Sequence, residues 1–74
     1  MAQRGTQTDL HRQILDVLLD KVKQDPFPSV TVLDMIEQRL RPEDVDEYTE
    51  VLLSKVKEDT YPSLDHLRRL MQFA

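Results

Sequence analysis

Seventy-four residues without a cysteine leave room for one domain and exclude a disulfide framework, a thiolate metal site and a nucleophilic thiol. A formal charge of −4, with acids and bases interspersed, repels phosphate backbones and argues against a nucleic-acid partner. No apolar run approaches the ~18 residues of a membrane span, and Met1-Ala2-Gln3-Arg4-Gly5 lacks the apolar core of a signal peptide.

Residues 1–8 are polar and aperiodic and hold the only glycine, which predicts a flexible N-terminal arm. The helical domain is expected over 9–74. From Leu10 the apolar positions take helical spacing: Leu10, Ile14, Leu18 and Val22 form a stripe, widened by Leu15 and Leu19. Lys21 and Lys23 suit the negative end of this first helix, and Pro26 and Pro28 close it. Ser29 is the expected N-cap of a second helix carrying Val30, Val32, Leu33, Ile36 and Leu40, and Arg41-Pro42 ends it. Pro42 then suits the first position of a third helix, with Glu43, Asp44, Asp46 and Glu47 at its positive end. Val45, Tyr48, Leu52 and Val56 form its apolar stripe. Ser63 caps a fourth helix whose apolar face is expected from Leu64, Leu67, Leu70 and Met71.

One stretch occurs twice. Residues 17–29, VLLDKVKQDPFPS, return at 51–63 as VLLSKVKEDTYPS, offset by 34 residues without a gap. A fixed period of this kind signals one supersecondary unit used twice. The connections are short, so successive helices must be antiparallel neighbours. The expected fold is therefore all-α: four short helices as two pseudo-repeated antiparallel hairpins, packed as a four-helix bundle. Phe27 and Tyr61 hold equivalent places before Pro-Ser, where each ring is expected to fold back as a hydrophobic staple. The other reading of the pair is an exposed anchor for a partner.

Chemistry is sparse. The only glycine lies in the arm, so no phosphate-cradling loop exists and no cofactor is expected. The acidic run at 43–47 lacks the glycine and alternating oxygen donors of a calcium loop, and no metal is expected. His11 and His66 have no metal-ligand partner at helical spacing and read as surface or boundary residues. No catalytic residues emerge. The expectation is a protein without enzymatic activity, sited in the cytoplasm, the cytoskeleton or the nucleus.

Arg4-Gly5-Thr6-Gln7-Thr8-Asp9 resembles the linear motif bound by the dynein light chain: a basic residue, any residue, then Thr-Gln-Thr and often an acid. Arg4 stands where Lys is usual, and the match covers residues 4–9 alone. The resemblance implies that the segment adds as a strand to the edge of the light-chain sheet. Gln7 would then be the central reader, flanked by Thr6 and Thr8, with Arg4 and Asp9 outside. The same residues also fit a helix start, with Thr8 or Asp9 as the cap, and the two readings compete. The paired helices with a proline turn also resemble, in layout, the docking-and-dimerisation modules of kinase regulatory subunits, which implies a possible homodimer. The expected function is a helical protein–protein interaction or adaptor module that recruits a dynein light chain through its arm. The alternative is a self-associating docking domain, or part of a larger regulatory protein, in which the arm only caps a helix.

Overall fold

The computed structural model describes residues 6–74, with side chains described from Leu10 onward. The chain is all-α. Four helices follow one another: α1 Thr6–Gln24, α2 Val30–Glu37, α3 Val45–Glu58 and α4 Leu64–Gln72, with a 3-10 turn Pro42–Asp44 before α3. No helix among the described residues is long and apolar enough to cross a membrane.

The boundaries differ from expectation in two places. Helix α1 begins at Thr6, so residues 6–8, expected in the arm, lie on helical backbone. Helix α2 stops at Glu37 rather than reaching Leu40. There the amides of Arg39 and Leu40 turn back to the carbonyls of Ile36 and Glu37, tightening the exit toward Pro42. Leu40 still reaches the core from the turn.

The core follows most of the predicted stripes in the first three helices, but Leu10, expected on the α1 stripe, and Val30, expected on α2, are exposed. Helix α1 buries Leu15, Leu18, Leu19 and Val22, α2 buries Leu33 and Ile36, and α3 buries Tyr48, Leu52 and Val56. Each fully buried aliphatic side chain contributes about 1.5–3 kcal/mol. Helix α1 packs on α2 and on α3, and α3 packs on α4. Polar contacts fix the direction of the α1–α3 pair. His11 and Arg12, early in α1, meet Asp44 and Glu47 at the start of α3. At the other end the Lys55 ammonium donates to the Lys23 carbonyl at 2.6 Å. The two helices therefore run parallel, and the α1–α2 and α3–α4 corners lie at the same end of the molecule.

Candidate interaction surface

Both corners end in a serine N-cap. Ser29 (φ −76°, ψ 153°) accepts a hydrogen bond from the Val32 amide. Ser63 (φ −64°, ψ 134°) accepts from the amides of Asp65 and His66. Each serine satisfies amides that the first helical turn would leave unpaired. In the first corner the Asp25 carboxylate also accepts from the Phe27 amide at 3.1 Å. His66 joins the corners: its Nε2 lies 3.3 Å from the Pro28 carbonyl. A carbonyl only accepts, so Nε2 carries the proton, and the buried Nδ1 has no partner among the described residues.

Neither aromatic is a staple. Phe27 is 76% exposed and Tyr61 89%. The buried place at the first corner goes to Pro28 rather than to Phe27. The first residue of the following helix is also solvent-facing in each case, Val30 at 52% and Leu64 at 74%. One end of the molecule thus carries four exposed apolar side chains, an aromatic and an aliphatic from each corner.

Helix α4 corrects a second expectation. Leu64 and Met71 are exposed and Leu67 is half-buried, whereas His66 and Arg69 are buried. The inward face is His66, Arg69, Leu70 and Phe73, the last packing edge-on against the Tyr48 ring at 5.9 Å between centroids. The Arg69 guanidinium meets Asp34 at 2.9 Å, Glu37 at 3.0 Å and Asp65 at 2.7 Å, tying α4 to α2. Burial by itself disfavours the Arg69 charge, but its bonds to Asp65, Glu37 and Asp34 outweigh that and raise its pKa. The Arg69 hydrogen bond holds the Asp65 carboxyl below the usual range. Tyr48 donates its hydroxyl proton to Glu37. Burial, reinforced by Glu37, pushes the Tyr48 phenol well above its ordinary value.

Two acids of the run at 43–47, Asp44 and Glu47, are taken by protein partners. Asp44 is buried, accepting from His11 Nε2 at 3.0 Å and from the Arg41 amide at 3.2 Å. Burial pushes its carboxyl up, and the bonds from His11 and Arg41 bring it below the usual range. Arg12 spans Asp16 and Glu47 on the surface. Among the described residues no three His, Asp or Glu side chains converge as metal ligands would.

The expected partner-binding residues divide. Arg4 lies outside the described residues, and Thr6, Gln7, Thr8 and Asp9 have their backbone in the first turn of α1. His66, expected at the surface or boundary, is buried, and Arg69 was not singled out from the sequence. The signal was their i, i+3, i+4, i+7 spacing with Leu70 and Phe73, which competes with the Leu64–Leu67–Met71 stripe. The surface also carries shallow recesses. A shallow apolar depression of about 280 Å³ runs along α1 beside Leu10, Ile14 and Val17. A more polar one of about 430 Å³ lies between α1 and α3, beside Glu47, Glu50, Ser54 and Glu58. No protein-family model matches the chain, and neither a curated protein nor a solved structure matches it.

Proposed function

We propose that this chain is a non-enzymatic protein-interaction module: two repeated hairpins closed as a four-helix bundle, with the corner end as its contact surface. The observation that carries the reading is the exposure of Phe27, Val30, Tyr61 and Leu64 at repeat-equivalent positions on one end. Exposed apolar residues scattered singly need no explanation, but a cluster of aromatic and aliphatic side chains marks a surface that another protein covers. The Arg69 network supports the bundle by joining α2 to α4. The test is a photo-crosslinking residue at position 61, with a control at Glu50. Adducts with protein at position 61 that vanish on Leu64→Ser are expected. The same adducts from the control would overturn the assignment.

A second contact is proposed for the arm, where Arg4, Thr6, Gln7, Thr8 and Asp9 carry the dynein light chain motif. Pairing as a strand requires the first turn of α1 to unwind, so binding carries the cost of melting that turn. Titration with purified light chain should give binding that Gln7→Ala abolishes; unchanged binding by that variant removes the motif.

A further inference from the structure

We infer that the occupant of the corner end is the corner end of a second copy of this chain. The inference rests on the reading above, that this end is the contact surface, and it names the partner. The two corners stand side by side, since His66 of one reaches the Pro28 carbonyl of the other. They form one apolar face rather than two separate knobs.

Size is the first argument. An aromatic side chain offers about 150–250 Å² when fully free, and at the exposures of Phe27, Val30, Tyr61 and Leu64 the apolar area comes to roughly 500 Å² per chain. Two such faces brought together bury at most roughly 1,000 Å², the floor for a specific interface. That is enough for a reversible dimer and too little for an obligate one. Symmetry is the second. A two-fold interface requires one patch to be complementary to itself. Here the patch consists of two like halves, Phe27 with Val30 and Tyr61 with Leu64, separated by the 34-residue repeat. A two-fold rotation sets the Phe27 half of one copy on the Tyr61 half of the other, twice over. Charge is the third. The segments around the patch carry both signs, with Asp25, Glu58, Asp59 and Asp65 against Lys23, Lys57 and Arg68. A like surface can pair with such a rim, whereas an anionic membrane or a nucleic acid requires a basic one.

The experiment uses the full chain in sedimentation equilibrium from micromolar to millimolar concentration. A monomer–dimer equilibrium is expected in the wild-type protein. Phe27→Ser with Tyr61→Ser should weaken it at least tenfold while leaving the helical circular dichroism unchanged, because neither ring packs in the core. Val17→Ser, an equally exposed apolar site on α1, should leave it unchanged. Spin labels at Lys57→Cys should lie closer together in the dimer than labels at Arg41→Cys. With α1 about 28 Å long, end-to-end docking sets the Arg41 labels roughly 50 Å apart. A wild-type monomer at all concentrations, or a dimer sensitive to Val17 and not to the corners, overturns the inference. A monomer that still forms Leu64-dependent adducts with another protein at position 61 overturns the second-copy inference alone; loss of both overturns the contact surface as well.

Discussion

Arg69→Met isolates the ion network that joins α4 to α2. The substitution keeps an unbranched stem of similar bulk and removes a cation whose side chain is 8% exposed. Removing one partner of a buried ion pair costs about 3–5 kcal/mol. Asp34 and Asp65 are open to solvent, and each link to them is worth no more than about 1 kcal/mol. The full penalty falls on Glu37 alone, which gives an expected loss of about 2–3 kcal/mol. A domain of this size holds roughly 4–11 kcal/mol in total, and the loss should lower Tm by about 10–20 °C. Thermal and urea melts followed by circular dichroism at pH 7 measure it. The pH dependence supplies an independent sign. In the wild-type protein Asp65 is held below its usual range by Arg69, so its contribution is present above about pH 3.8 and is lost on further acidification. In the variant Asp65 no longer has the Arg69 hydrogen bond that holds it low, so its contribution disappears. The variant should therefore lose less stability on acidification below about pH 3.8 than the wild-type protein does. A Tm within about 3 °C of wild type, or the same pH slope in both proteins, would refute the network as a structural tie.

Further outcomes follow from the same contacts. Tyr48→Phe removes the hydroxyl donor to Glu37 and should cost about 1.5–3 kcal/mol in urea melts at neutral pH. Because folding raises the Tyr48 phenol, its contribution is complete below about pH 10 and is lost above it; alkaline melts should show that loss in the wild-type protein and not in the variant. Asp44→Asn takes away a carboxylate held low by His11 and the Arg41 amide, so it should destabilise at pH 7 and flatten the loss of stability below about pH 3.8. Leu52→Ala, at a site with no exposure, should cost about 2–5 kcal/mol in the same melts. Ser63→Ala should cost about 1 kcal/mol and more than Ser29→Ala, since Ser63 serves two amides and Ser29 one.

The existence of the first three helices was legible because most of their buried residues recur at helical spacing, whereas the start of α1 and the end of α2 were not. Ser29 and Ser63 are N-caps as expected, each following a proline that ends the preceding run. Helix α4 was misread because it offers two stripes, and hydrophobicity alone favours Leu64, Leu67 and Met71. Arg69 wins the inward place because three carboxylates from two helices converge on it, a long-range fact that no local window contains. The exposed aromatics were misread for a related reason. The staple geometry is local and common, but at the first corner Pro28 is buried while Phe27 stays exposed. His11 and Asp44 lie 33 residues apart, and their pairing depends on the parallel packing of α1 and α3, which periodicity cannot state.

The parallel course of α1 and α3 also decides how the molecule can be held. Helices α2 and α4 both travel back from the corners, so Thr6 and Ala74 emerge at the same pole, opposite Phe27 and Tyr61. A tag, a surface linkage or a neighbouring polypeptide joined at either terminus would grip the molecule by that pole and leave the other free in solution.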